Sequence, residues 1–320
     1  MKEKILEYLH QKHNYLSGEE LSSHLGISRQ GLWKHIQELK DLGYEIVAVP
    51  HLGYRLEALP DRLFAFEVTR GLKAKTMARK IYYFDYLVST MDLAMQLGLK
   101  GAAHGTLILA ESQTKGRGRL GRSWFSPKYK GIYLSLILRP QITPSNSPIL
   151  TLLSAVSICE AIKETFGLEV QIKWPNDILA QNKKIAGILT EMNAEVDKVN
   201  FIVIGIGLNV NNDKKTLIAQ ATSLKEQLLK PVSRVLLLQA FLNKFEDNYS
   251  RWENKGSSWV IERWRSLNSS LGQRVKIYYQ HKHLEGVAVD IDQDGGLLIR
   301  KDSGIMQKVT SGDVMYCRQP

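Results

Sequence analysis

The sequence predicts an α+β multidomain chain: a winged helix-turn-helix over residues 1–60, a central mixed α/β domain over 61–270, and a small SH3-like β-barrel over 271–320. Three observations carry this. Residues 1–60 repeat short helical apolar stripes separated by turn signals and end in two β-like runs. Residues 61–270 interleave strands with long helices. After Leu271 the texture changes to short strands separated by turns, with Asp294-Gly295-Gly296 as a hairpin signal. A length of 320 residues suits two or three domains.

In the first region, Ile5, Leu6 and Leu9 form one helical stripe. Ser17-Gly18-Glu19-Glu20 is a capping box that opens a second helix with Leu21 and Leu25 apolar. Gly26 makes the turn. Ser28 caps a third helix, which turns Leu32, Ile36 and Leu39 inward and stops at Gly43. Residues 44–49 and 53–56 flank Pro50-His51-Leu52 as a two-stranded wing. Arg29, Gln30, Trp33 and Lys34 project from the third helix. Arginine and glutamine read base edges and lysine holds phosphate, so Arg29, Gln30 and Lys34 are the candidate DNA contacts. The competing reading is a winged helix used only for protein contacts. Charge feeds that reading: residues 1–60 hold seven Lys/Arg against eight Asp/Glu, a net of −1, so residues 61–320 carry +12 and the whole chain +11.

Leu59-Pro60-Asp61 marks the next boundary. Helices are expected near 91–99, 150–166, 233–253 and 259–268. Strands are expected at 106–111, 132–138, 169–173, 185–192 and 199–206. Residues 184–191 and 201–208 read as a hairpin pair, so the sheet is mixed and not a simple βαβ series. The last region carries strands at 275–279, 284–290, 297–300 and 306–309. His10 with His13, and His281 with His283, have no further ligands nearby in sequence and read as surface histidines. No metal site is expected. The start has no signal-peptide apolar core, no stretch is apolar enough to span a membrane, and the two cysteines, Cys159 and Cys317, lack metal spacing. A cytoplasmic protein without disulfides is the expectation.

The most informative stretch is Gln113-Thr114-Lys115-Gly116-Arg117-Gly118-Arg119-Leu120-Gly121-Arg122-Ser123-Trp124. Glycines let backbone N–H groups approach a ligand closely. Arginine forks suit phosphate or carboxylate. Trp124 offers a face on which a base can stack. Six Lys/Arg and no acid lie within 112–130, the strongest local positive field in the chain. Gly116, Gly118 and Gly121 match the dinucleotide pattern G-x-G-x-x-G, but Trp124-Phe125-Ser126-Pro127 is a poor helix start, which that pattern needs. A solvated basic loop is the remaining bland reading.

Further motifs follow in order: Lys173-Trp174-Pro175-Asn176-Asp177-Ile178, then Lys183-Lys184-Ile185-Ala186-Gly187-Ile188-Leu189, then Ile204-Gly205-Ile206-Gly207-Leu208-Asn209, with Ser89-Thr90 upstream. This set resembles the biotin–protein ligases over essentially the whole chain. The N-terminal helix-turn-helix makes it similar to the bifunctional members that also repress the biotin operon. One departure is Met91, where the family usually has Asn after the Ser-Thr pair.

The resemblance implies a central ligase domain and a biotin–[biotin carboxyl carrier protein] ligase reaction in two steps. Biotin carboxylate attacks the α-phosphate of ATP, with Mg²⁺, giving biotinyl-adenylate; a carrier-protein lysine then takes the biotin. It implies a cytoplasmic chain that represses biotin-synthesis genes at operator DNA as an adenylate-bound homodimer, without contact to membrane. Lys184 becomes the catalytic candidate, with Arg119 and Asp177. Lys183 should be solvated, because successive strand residues face opposite sides. Biotin would be held by Ser89, Thr90, Gln113, Gly116, Arg117, Arg119, Lys184 and Gly187. ATP would be held by Arg119, Arg122, Trp124, Lys173, Asn176, Asn209 and Arg318. Asp177 has two roles open, orienting Lys184 or helping to hold Mg²⁺, and can also be a turn residue after Pro-Asn. Two other functions stay open: a ligand-sensing repressor without catalysis, and a lipoate-type ligase.

Overall fold

Serine caps and glycine stops set the first helices. The computed structural model describes residues 1–11, 14–279, 282–310 and 312–316. It begins with α1 (Lys2–Gln11), α2 (Gly18–Leu25), α3 (Arg29–Asp41), β1 (Glu45–Val49) and β2 (Gly53–Ala58). Ser17 Oγ accepts the Glu20 N–H and Ser28 Oγ accepts the Gly31 N–H, satisfying donors that a first helical turn leaves open. Gly26, at φ 64°, is the left-handed stop of α2. Ile5, Leu9, Leu21, Leu32, Ile36 and Leu39 are buried together as the apolar stripes require. β1 and β2 pair antiparallel, and Leu16 and Tyr54 exchange backbone hydrogen bonds of 2.8 Å that tie the wing to the helices. Gly53 permits this approach, since a Cβ there would lie 1.9 Å from Leu16 O.

The chain divides into two compact units, Met1–Arg62 and Leu63–Pro320. The second is built on a seven-stranded sheet in the order β3-β4-β5-β9-β8-β7-β6. Its strands are β3 (Ile81–Phe84), β4 (Thr106–Ala110), β5 (Gly131–Leu138), β6 (Gln171–Lys173), β7 (Asp177–Ala180), β8 (Lys183–Ala194) and β9 (Val199–Asn209). Only the β3–β4 pair is parallel, and β8–β9 is the expected hairpin. Its helices are α4 (Ala65–Thr69), α5 (Thr90–Leu99), α6 (Pro148–Phe166), α7 (Leu224–Leu228), α8 (Arg234–Lys255) and α9 (Ser258–Leu267). Ile108, Ile137, Phe201 and Val203 pack with Met91 and Ala94 of α5, whereas Leu107, Leu109, Leu136, Ile202 and Ile204 join the core of α6, α8 and α9. Helices therefore cover both faces, which is why β4 and β5 read as unbroken apolar runs.

A fully buried ion pair locks the helical layer to the sheet. Arg234, at the start of α8, donates to Glu111 Oε2 at 2.6 Å and to Gly131 O at 3.0 Å. The other Glu111 oxygen accepts the Leu63 N–H at 2.8 Å and the Tyr83 hydroxyl at 3.1 Å.

The final strands are β10 (Arg274–Tyr279), β11 (Lys282–Ile291), β12 (Leu297–Arg300), β13 (Met306–Val309) and β14 (Asp313–Tyr316), in the order β13-β12-β11-β10-β14. Among the described residues no pairing joins β13 to β14, so they form an open five-stranded sheet. Trp174 pins this sheet to the central one: its indole N–H donates to Gly295 O and its backbone N–H to Ser270 Oγ, both at 3.0 Å. β3, β7 and β14, and helices α4 and α7, were not expected from the sequence. Each has four or five residues, too few to display a period. His13, His281 and Cys317 lie outside the described residues.

Candidate functional site

Strand direction brings the motifs together. β4 and β9 end, and β5 and β8 begin, at one end of the sheet. The glycine-arginine loop that joins β4 to β5 therefore hangs over the first turn of β8. A cavity of about 610 Å³ opens between them. The stretch 216–221 forms a further wall: Lys184 donates its N–H to Gln220 O at 2.8 Å and accepts from the Thr222 N–H at 2.9 Å.

The cavity floor is made of glycine. A Cβ on Gly207 would lie 2.3 Å from Trp124 Cε2, and one on Gly187 would lie 3.1 Å from Trp124 Cζ3. A Cβ on Gly205 would lie 2.4 Å from Met91 Sδ. The Trp124 indole thus rests in a trough that side chains would fill, and its buried Nε1 has no hydrogen-bond partner among the described residues. A flat ring with an unpaired donor leaves room for a flat polar partner.

Cations ring the trough. Lys184 Nζ lies 2.6 Å from Asp177 Oδ1 across the β7–β8 hairpin and 5.4 Å from the centre of the Trp124 ring. Lys183 is exposed, and Lys184 is about one-third exposed at 34%. Arg119 donates to Asn176 Oδ1 at 2.9 Å and to Gly312 O at 3.5 Å, while Asn176 Nδ2 donates to Ile188 O at 2.7 Å. Burial acts to lower the Arg117 pKa, but hydrogen bonds and charge from Asp92 and Glu191 outweigh it and hold the guanidinium above its ordinary value. Arg117 bonds Asp92 at 2.7 Å and also pairs with Glu191. Arg122 joins the wall.

A second end of the cavity is neutral and densely bonded. Gln113 Oε1 accepts the Thr90 N–H at 2.8 Å and its hydroxyl at 3.1 Å, and Gln113 Nε2 donates to Ser126 Oγ at 3.0 Å. Ser135 Oγ donates to Thr90 Oγ1 at 2.9 Å. Asn209 stands on the wall with Nδ2 donating to Thr222 O at 3.1 Å.

The structure places several candidates elsewhere. Ser89 is buried behind the wall, where its hydroxyl caps α5 by accepting the Asp92 N–H at 3.3 Å. Gly116 is packed within the loop, where a Cβ would meet Trp124 O at 2.5 Å. Lys173 is not on the cavity wall; its ammonium sits 4.9 Å from the centre of the Tyr316 ring. Arg318 lies outside the described residues. Sequence reasoning missed Asp92, Glu191, Leu217 and Ile218. For Gly205 and Gly207 a signal existed: glycine at alternate positions of an apolar strand marks close approach by something else. Among the described residues no group of three or more His, Cys, Asp or Glu side chains could hold a metal ion.

On the first unit, Arg29, Gln30, Trp33 and Lys34 are all exposed on α3. Arg29 pairs with Glu19 of α2 at 2.7 Å, in an ion pair whose two side chains are largely solvated.

Comparison with known proteins bears on both units. Residues 83–209 match the biotin/lipoate A/B protein ligase family, residues 2–55 an HTH domain and residues 270–315 the biotin protein ligase C-terminal domain. The chain is 39% identical to the bifunctional ligase/repressor BirA of Bacillus subtilis over 98% of both chains. It is 29% identical to that of Escherichia coli over 93% of this chain and 92% of the relative. A biotin protein ligase from Aquifex aeolicus, solved with biotin and ATP, superposes with a TM-score of 0.64 and 29% identity, covering 75% of this chain and all of the other. No helix among the described residues is long and apolar enough to cross a membrane. The near-complete match in length, the HTH domain at one end and the ligase motifs around one cavity together make this chain a member of the bifunctional ligase/repressor family of biotin protein ligases.

Proposed function

We propose that this cavity joins biotin to ATP and passes the biotin to a lysine of a biotin carboxyl carrier protein. The observation that carries the reading is the Lys184–Asp177 pair at 2.6 Å beside Trp124 in its glycine trough. A biotin carboxylate oxygen attacks the α-phosphorus, the bond to the bridging oxygen breaks, and pyrophosphate leaves. Two anions must meet, so charge developing at the α-phosphate has to be met by fixed cations. Lys184 supplies one, held in place by Asp177, and Arg119 and Arg122 supply others. In the second step a carrier lysine amine attacks the activated carbonyl and AMP leaves with the electron pair. No protein nucleophile is required.

The neutral end formed by Thr90, Gln113 and the backbone around Gly116 and Arg117 suits the ureido ring of biotin, with Ser89 acting through the α5 cap. Gly187 lets the chain pass. Trp124, Asn176 and Asn209 receive the nucleotide. Lys173 and Arg318 also hold the nucleotide. Mg²⁺ would be held by ATP phosphate, its own waters and Asp177, the carboxylate on the wall, and would supply neutralisation of phosphate charge. The first unit binds operator DNA through Arg29, Gln30 and Lys34, as an adenylate-bound homodimer. The three regions act as domains over 1–60, 61–270 and 271–320, the last as an open variant of an SH3-like barrel.

Pyrophosphate release on adding ATP with biotin, and with lipoate in its place, tests the reading. Release with biotin alone is expected. Release only with lipoate would move the chain to the lipoate branch, and none with either would leave a ligand-sensing repressor.

A further inference from the structure

The chain's positive excess has a second focus, at the end of the sheet opposite the cavity. Residues 68–84 carry Arg70, Lys73, Lys75, Arg79 and Lys80 and no acid. All five are exposed. Their backbone is fastened to one face of α8. Gln239 Nε2 donates to Glu67 O and Arg70 O at 2.8 Å, and Asn243 Oδ1 accepts the N–H groups of Lys73 and Ala74 at 2.9 Å. The Glu246 carboxylate accepts those of Lys75, Thr76 and Met77 at 2.5–2.7 Å. Burial acts to raise the Glu246 pKa, but these three donors outweigh it and hold it below its ordinary value, so the carboxylate stays charged and faces inward. Ala78 N–H then donates to Gly105 O, and Leu107 N–H to Lys80 O, stitching the segment to β4. Lys100, also exposed, lies in the adjoining turn. Nine hydrogen bonds thus fix the backbone of a segment that carries five exposed cations.

We propose that this segment is a phosphate-contacting surface for duplex DNA, supplementing the near-neutral winged helix. It rests on the reading that the first unit binds DNA. A domain with seven cations and eight acids gains little from counterion release on its own. Gln239 to Glu246 is seven residues of helix, roughly 10 Å, a length over which a duplex presents several phosphate charges at one per ~1.7 Å of axis. The segment lies apart from the ligase cavity.

The test uses the full chain and a duplex of arbitrary sequence alongside one from upstream of biotin-synthesis genes, each titrated from low to high salt. In the variant Lys73→Gln/Lys75→Gln/Arg79→Gln the slope of log affinity against log salt should shrink by roughly two to three, at ~0.9 per lost phosphate contact. Preference for the operator should persist, and carrier-domain biotinylation should match wild type, which also certifies the fold. DNA binding with an unchanged slope overturns the proposal alone. No duplex binding by wild type at low salt overturns it together with the repressor reading. An unchanged slope with slowed transfer to the carrier assigns the row to an acidic protein partner and likewise overturns the DNA assignment.

Discussion

Lys184 and Gly207 show how much of the site depends on single atoms. Lys184 is one β-strand residue away from the solvated Lys183, yet only Lys184 reaches Asp177 and the Trp124 face. Lys184→Ala should slow adenylation by ~10²–10³-fold, the cost of one lost transition-state donor, with folding intact; pyrophosphate release under single-turnover conditions measures it. Gly207→Ala should act through shape alone. Its Cβ would press on Trp124 at 2.3 Å, so the ring must shift. A cost of ~1–3 kcal/mol in stability is typical of such overpacking, readable as an earlier urea midpoint. At this scale the sequence pointed, through its ordered motifs, to Arg119, Asn176 and Lys184, which the fold gathers on one cavity wall. It was silent on Glu191, an ordinary acid in a strand whose meaning comes from Arg117 in a distant loop. The contacts of Ser89, whose hydroxyl caps α5, and of Lys173, which lies against Tyr316, likewise follow from tertiary packing.

At the scale of elements, long periodic segments were legible and short ones were not. α6, α8, β5 and the β8–β9 hairpin follow from apolar patterning, whereas β3 and β14, of four residues each, exist because a neighbouring strand offers them an edge. The Arg234–Glu111 pair was equally invisible, since its partners are 123 residues apart. Both side chains are fully buried. Arg234→Met should cost ~3–5 kcal/mol by stranding the carboxylate, seen as an earlier urea midpoint; adding Glu111→Gln should restore part of the loss, because Tyr83 and Leu63 keep an acceptor. His104 gives a pH signature. Its Nδ1 accepts the Arg139 N–H at 3.0 Å, and burial, with help from Arg139 and against Glu246, lowers its pKa below the ordinary 6.5. The unfolded chain therefore binds the proton first. The stability this confers is present above about 6.5 and is lost as the pH falls from there through the folded value. Thermal melts between pH 7 and 5 should show that loss, and His104→Asn, which keeps an acceptor without titrating, should flatten it.

The whole molecule separates two tasks between two units, Met1–Arg62 and Leu63–Pro320. The first carries the recognition helix with almost no net charge, and the second carries the chain's positive excess together with the cavity. That division was legible from composition and motif order, because charge and motifs are local in sequence; the open ends of the last sheet were not, because closure depends on which distant strands meet. In the proposed reaction one cavity, with Lys184 as its fixed cation, activates biotin with ATP and hands it on. The most direct measurement is transfer of labelled biotin by the full chain to a purified carrier domain, with and without ATP, for wild type and Lys184→Ala. The account predicts transfer that requires ATP, one pyrophosphate released per biotin attached, and loss of nearly all of it in the variant. Transfer without ATP, or a Lys184→Ala variant that transfers biotin at the wild-type rate, would contradict it.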